Sequence, residues 1–302
     1  MHPLTWPFRL FSFSLSILPR RIFLLMGSEL GRLLRWFGFR RSVVEENLSL
    51  AFPKWTANER ADFLRKNYQH YGILFLEILR FFFRFDRFLD HYCEVEGGEN
   101  VRRALAKGKG AFVMTAHLGN WEVLTGCGAY RLKVPCTMVT KRLKPAWLHN
   151  LAESTRARLG VKMAFEPKTM QGVLRGLKSN GLVGFVMDQY TGAPVGARVP
   201  FFGVPVGSQT ALAMLALRTG ASVIPAVAYR RPDGRYVARF EPELPVIQHP
   251  DIDQAVLLNT AQFVAHTERW IREWPEQWLW IHRRWKGDLS ALPPNCPGEM
   301  LK

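Results

Sequence analysis

Cysteine is scarce in this chain. Only four occur in 302 residues, Cys93, Cys127, Cys136 and Cys296, far apart and with no CxxC pair, so neither a zinc knuckle nor a disulfide framework is supported. That usage fits a reducing, cytosol-facing compartment. No apolar run approaches the ~20 uninterrupted residues of a spanning helix. The stretch from Phe8 to Leu25 is broken by Arg9, Pro19, Arg20 and Arg21. A secretory signal is disfavoured too, because Phe11 to Leu18 is short and no small-residue cleavage site follows Arg20 and Arg21. There is no HExxH, no Cys/His cluster, and no helix-turn-helix, zinc-finger or RNP pattern, so no metal, cofactor or nucleic-acid partner is expected. Internal repeats and low-complexity tracts are absent. Acidic residues are few: 25 Asp and Glu stand against 41 Lys and Arg, a net charge of +16. Such an excess calls for a polyanionic partner, for which nucleic acid, an anionic lipid surface and an acidic protein all qualify on charge alone. With 48% hydrophobic residues the chain buries a core, which excludes intrinsic disorder.

What is present divides the chain. Residues 1–40 carry Arg9, Arg20, Arg21, Arg32, Arg35 and Arg40 against the single acid Glu29, with Phe and Trp interleaved. That mixture reads as a helical segment on an anionic membrane surface; the alternative is a core helix with basic flanks. Thr56 and Glu59 form a capping box, and apolar residues at helical spacing predict a long helix from about Ala57 to Phe83. At its end Phe81, Phe82, Phe83, Phe85 and Phe88 form either ordinary core or a greasy surface near lipid or an acyl chain.

From Gly97 onward helices alternate with short β-rich runs. Strands are predicted at Ala111–Thr115, Pro135–Val139, Leu182–Met187, Ser222–Tyr229 and Tyr236–Phe240, the last two joined by an Asp233-Gly234 turn. Helices are predicted at about Asn100–Lys107, Trp121–Tyr130, Pro145–Leu159, Thr169–Ser179, Gln209–Thr219 (capped by Ser208) and Asp253–Trp274. The pattern is that of an α/β domain, a central mixed β-sheet flanked by helices, over residues 41–288. A Pro-containing tail, 289–302, follows. Five tryptophans between residues 270 and 285, among arginines, suit either a membrane interface or a folded sheet edge.

The strongest local signal is His117-Leu-Gly-Asn-Trp-Glu122 at the mouth of a predicted strand. Histidine serves as a general base near neutral pH when a carboxylate holds its other ring nitrogen. On one continuous helix, positions five apart lie roughly 140° apart, so His117 and Glu122 meet only if the chain turns sharply at Gly119. The competing reading is a structural histidine at a strand end. Between residues 131 and 178 eleven basic residues, Lys141 and Arg142 among them, face only Glu153 and Glu166, forming an anion-binding field or a solvated basic surface.

The HLGNWE motif, Asp188-Gln189, the segment Val199-Pro-Phe-Phe-Gly203 and the ending Trp280-Ile-His-Arg-Arg-Trp-Lys286 occur in order. Together with Glu46-Asn47-Leu48 and Ala51-Phe52-Pro53 they resemble the bacterial lipid A biosynthesis acyltransferases, the late lauroyl and myristoyl transferases of the lysophospholipid acyltransferase superfamily. The resemblance covers nearly the whole chain. It implies transfer of a fatty acyl group from acyl carrier protein thioester to a hydroxyl of a lipid A precursor at the cytoplasmic face of the inner membrane. By position His117 matches the catalytic base and Glu122 its acidic partner. Arg142, beside Lys141, falls where the family has an acceptor-binding arginine, though the usual flanking Tyr and Pro are missing. Asp188, beside Gln189, matches an acidic motif position. The chemistry needs donors for an oxyanion or acceptor phosphate, for which backbone N–H groups at Gly119 and Asn120 are candidates. With no Ser or Cys paired to a His, direct attack by the acceptor hydroxyl is the simpler scheme. Alternatives are another phospholipid or glycolipid acceptor, thioester hydrolysis, or a non-catalytic basic module binding membrane or nucleic acid.

Overall fold

The computed structural model describes residues 5–286; the predicted tail and Cys296 lie outside the described residues. Four helices open the chain: α1 (Thr5–Ile17), α2 (Arg20–Trp36), α3 (Arg41–Ala51) and α4 (Ala57–Arg80). The capping box is formed, with the Thr56 N–H donating to Glu59 Oε2 at 2.7 Å. The helix ends at Arg80 rather than Phe83, because Arg84 takes a left-handed conformation that starts α5 (Phe85–Tyr92). Phe81 then stacks on Phe85 with centroids 3.9 Å apart.

α2 is welded to α4. A Cβ on Gly31 would stand 2.0 Å from the Tyr68 carbonyl oxygen, and one on Gly72 would stand 2.0 Å from that of Gly27, so the two backbones touch where side chains are missing. α1 and α2 meet at a bend of 118°, and no single described helix is long and apolar enough to cross a membrane.

The α/β body continues with β1 (Cys93–Glu96), α6 (Gly98–Leu105), β2 (Ala111–Thr115), α7 (Trp121–Gly126), β3 (Cys136–Val139), α8 (Ala146–Arg158) and β4 (Val161–Ala164). It closes with α9 (Thr169–Lys178), β5 (Leu182–Val186), β6 (Gly196–Phe201), β7 (Val204–Gln209), α10 (Ala211–Thr219), β8 (Ser222–Arg230), β9 (Tyr236–Phe240) and α11 (Ile252–Glu273). Seven strands form one mixed sheet in the order β1-β9-β8-β2-β5-β3-β4. The run β8-β2-β5-β3-β4 is parallel, and β9 joins β8 in antiparallel fashion. β2 is buried at every position, as a central strand covered by helices on both faces must be.

Several local expectations change. α7 ends at Gly126 and continues as a π-helical turn over Cys127–Arg131. Ser208 does not cap a helix: it lies in β7, part of a separate β6–β7 hairpin, and its hydroxyl accepts from Arg284 Nη2 at 2.6 Å. The tryptophan cluster is core, not membrane interface. Trp270, Trp278, Trp280 and Trp285 are buried, and Trp274 stacks on Tyr229 at 4.1 Å. The irregular backbone that carries them is satisfied by buried amides: Asn67 donates to the Glu276 carbonyl and Asn47 to the Trp280 and His282 carbonyls.

Candidate active site

The site follows from strand register. β2 and β5 pair in parallel with Ala111 opposite Leu182 and Thr115 opposite Val186. The ladder runs one step further, Met187 N–H donating to the Thr115 carbonyl at 2.9 Å. His117 and Asp188, each two residues past its strand, therefore emerge side by side at the carboxyl end of the sheet, where open α/β sheets place their ligands.

Their contact is close. His117 Nδ1 lies 2.9 Å from Asp188 Oδ1, while Asp188 Oδ2 accepts from the His117 backbone N–H at 2.9 Å and from Trp278 Nε1 at 2.7 Å. Burial alone would raise the Asp188 pKa, but the His117 charge and these three donors hold it down at about 2. An ionised Asp188 takes the proton of His117 Nδ1 as its hydrogen bond, which leaves Nε2 with the free lone pair. Burial disfavours protonation of His117, yet the charge and hydrogen bond of Asp188 outweigh it and raise its pKa above the ordinary 6.5. Trp121 packs edge-on against the imidazole, centroids 4.7 Å apart, and fixes the ring plane.

Glu122 is not the partner that sequence spacing suggested. α7 starts only at Trp121, so Glu122 points from its first turn to α8, where Arg156 Nε donates to Glu122 Oε2 at 3.0 Å and Nη2 to Oε1. The acid that meets His117 is Asp188. Gly119 and Asn120 are likewise not open to a ligand. The Gly119 N–H donates to the Gln277 carbonyl and that of Asn120 to the Ala228 carbonyl, while Asn120 Oδ1 accepts from the N–H groups of Glu122 and Val123 as the cap of α7. Gly119 does permit the sharp turn: its φ is +61°, and a Cβ there would lie 1.9 Å from the Ala228 carbonyl oxygen.

His117 borders a cavity of about 910 Å³. Ile78, Phe81, Phe82 and Phe85 give it an apolar wall; Phe81, Phe85 and Phe88 are buried core, and the first two also border the cavity. Lys141, Arg142 and Gln189 line it as well, together with the Glu122–Arg156 pair. Arg142 is held with its guanidinium carbon 4.1 Å over the Phe165 ring, which leaves its donors available to an anion. An apolar wall, two cations and one oriented imidazole are thus joined in one cavity. Among the described residues no group of three or more His, Cys, Asp or Glu is arranged to hold a metal. Sequence reasoning missed Trp278 as a donor to Asp188 and Arg156 as the partner of Glu122. Neither had a local signal, and the equal offsets of His117 and Asp188 from their strands emerge only with the second strand ending at Val186, one residue before the predicted Met187.

Comparison with known proteins agrees with this chemistry. A family model described as bacterial lipid A biosynthesis acyltransferase matches residues 2–287. The chain is 29% identical to the lipid A biosynthesis lauroyltransferase of Escherichia coli over 91% of its own length and 89% of that protein. It is 28% identical to the lipid A biosynthesis palmitoleoyltransferase of the same organism, over 95% and 93% of the two chains. It is also 26% identical to the phosphatidylinositol mannoside acyltransferase of Mycolicibacterium smegmatis, over 82% and 80%.

Proposed function

The chain belongs to the bacterial lipid A biosynthesis acyltransferase family, and from that premise we propose that it moves a fatty acyl group from an acyl carrier protein thioester to a hydroxyl of a lipid A precursor. It is an O-acyltransferase acting on a glycolipid. One observation carries the finer reading: the His117–Asp188 couple opens onto a cavity with an apolar wall and free cations.

The steps follow from that geometry. His117 Nε2 accepts the proton of the acceptor hydroxyl as its oxygen attacks the thioester carbonyl, and the imidazolium is stabilised by ionised Asp188. The tetrahedral intermediate then collapses: the carbon–sulfur bond breaks, the ester remains on the acceptor, and the departing thiolate takes the proton back from His117. Asp188 stays ionised throughout. Lys141 and Arg142 hold the acceptor phosphate by charge-assisted hydrogen bonds, and Phe81, Phe82 and Phe85 receive the acyl chain. The Glu122–Arg156 pair braces the cavity wall between α7 and α8.

The N-terminal elbow supplies the membrane contact in this reading. Trp6, Ile17, Leu25, Trp36 and Phe37 are each at least 64% exposed, and Arg9, Arg21, Arg32 and Arg35 lie on the same segment. An apolar face flanked by arginines fits the anionic cytoplasmic face of the inner membrane. Similarity to a phosphatidylinositol mannoside acyltransferase favours one second acceptor, a mannosylated inositol lipid, handled by the same chemistry. Mass spectrometry after incubating the purified protein with acyl carrier protein thioester and either acceptor is the test. Acylated lipid A precursor is the expected product, and the absence of any acylated lipid contradicts the reading.

A further inference from the structure

Beneath the catalytic loop lies a carboxylate that the transfer chemistry does not use. Glu77 of α4 is fully buried. Its Oε1 accepts from Arg20 Nη2 at 2.7 Å; its Oε2 accepts from the Tyr236 hydroxyl at 2.7 Å and from Asn120 Nδ2 at 3.2 Å, with Arg230 Nη1 at 4.0 Å. Three donors from α2, the α7 cap and β9, with the Arg230 charge of β8 beside them, therefore converge on one acid. Asn120 is the informative one among them. Its amide is divided: the oxygen caps α7 while the nitrogen reaches Glu77. Asn120 stands three residues after His117, and between them Gly119 is pressed onto the Ala228 carbonyl, so the loop has no slack in which to absorb a shift at Asn120.

We propose that Glu77 is a positioning residue for acyl transfer: through Asn120 it fixes the turn that presents His117 to the cavity, with Arg20 as the counter-ion that anchors it. A glutamine at this position keeps the shape but offers a single oxygen, and its NH₂ group confronts donors instead of accepting from them. The turn then loses its side-chain tether and keeps only the backbone bonds of Gly119 and Asn120, while the cavity, the cations and Asp188 remain. A displacement of the base by a fraction of an ångström acts on the chemical step and not on substrate binding, so the effect appears in kcat.

The inference rests on the reading of His117 as the base, and the experiment separates the two. Steady-state kcat and KM for both substrates are measured with the full chain carrying Glu77→Gln, Asn120→Ser, both together, Tyr236→Phe, or His117→Ala. Serine preserves the helix cap and removes only the Nδ2 contact. Tyr236→Phe deletes a Glu77 hydrogen bond that does not lead to the loop. We expect Glu77→Gln and Asn120→Ser each to lower kcat about tenfold to a hundredfold with KM within about twofold of the parent. The double variant should be no slower than either single one, and Tyr236→Phe should keep kcat within about twofold. The proposal is overturned if Asn120→Ser retains the parental kcat, if the two losses multiply, or if Tyr236→Phe loses as much as Asn120→Ser. Asn120→Ser and Tyr236→Phe decide the matter even if Glu77→Gln does not fold. Retention of activity by His117→Ala would instead remove the reading of the site itself.

Discussion

His117 Nδ1 and Asp188 Oδ1 lie 2.9 Å apart because the parallel pairing of β2 with β5 carries on past Thr115 and Val186. Two loops distant in sequence thereby build one hydrogen-bonded His–Asp couple. Asp188→Asn keeps the volume but removes the charge that stabilises the imidazolium, so kcat should fall by about 10²-fold or more. Asp188→Ala in addition strands the buried Trp278 indole N–H, at a cost of about 1–3 kcal/mol in folding free energy. Initial rates and thermal melts of the two variants separate the catalytic from the structural share.

The pH profile carries the same signature. A base has to be the neutral imidazole, and the pKa of His117 is raised above 6.5, so the proposed mechanism predicts that kcat/KM falls on the acid side through a limb that lies above pH 6.5. Asp188→Asn should move that limb to lower pH, since burial alone pulls the His117 pKa down. Stability runs the opposite way for the two partners. The raised His117 pKa stabilises the fold below pH 6.5 and that share fades as pH rises through the folded value. The Asp188 share is present above its ordinary 3.8 and is lost as pH falls towards about 2. Rate profiles and urea melts over the same pH range check both directions.

The pairing of Glu122 with Arg156 makes a distinct prediction. Both side chains are largely buried, 13% and 15% exposed, so removing one leaves the other charge without compensation. Glu122→Ala and Arg156→Ala should each destabilise the fold by about 2–4 kcal/mol, and the double variant by clearly less than their sum. Additive losses in thermal melts would show that the two charges do not depend on each other. The Glu122 charge also pushes the His117 pKa up, less than Asp188 does, so Glu122→Ala should move the acid limb of kcat/KM by less than Asp188→Asn; a larger move would make Glu122 the partner of His117.

The periodic elements were legible in the sequence, and those set by long-range pairing were not. The cap of α4, the strand before His117 and the Asp233-Gly234 turn are local signals, and each holds. β1 and β4 have only four residues each and include Glu94, Glu96 and Lys162; they are strands because neighbours pair with them. β6 and β7 contain Pro200 and Pro205, which argue against strand locally and are tolerated in a two-stranded hairpin. The same limit explains the site. Spacing within one motif offered Glu122 to His117, whereas the true neighbour, Asp188, is 71 residues away and comes into place only through register.

The membrane reading predicts a clean separation of binding from folding. Leu25 and Trp36 are 64% and 77% exposed, so glutamates there remove apolar area from the lipid contact without opening the core. Leu25→Glu with Trp36→Glu should weaken binding to anionic vesicles by about tenfold or more and leave the melting temperature unchanged. Substitution is the appropriate probe because deletion of residues 1–40 would remove α2 from α4, uncovering Gly72, Ile73 and Leu76 and taking Arg20 from the buried Glu77. Vesicle flotation at low and high salt reads the result, and undiminished binding by the double variant would remove this face from the contact.

The central claim is that His117, oriented by Asp188, takes the proton of the acceptor hydroxyl, and one measurement meets it directly. Purified full-length protein and its His117→Ala variant, both shown to be folded, are given acyl carrier protein thioester and a lipid A precursor, and acylated lipid is quantified by mass spectrometry over time. The account predicts product from the parent and a loss of at least about 10²-fold in rate for His117→Ala. A folded His117→Ala protein that acylates the lipid at nearly the parental rate would contradict it.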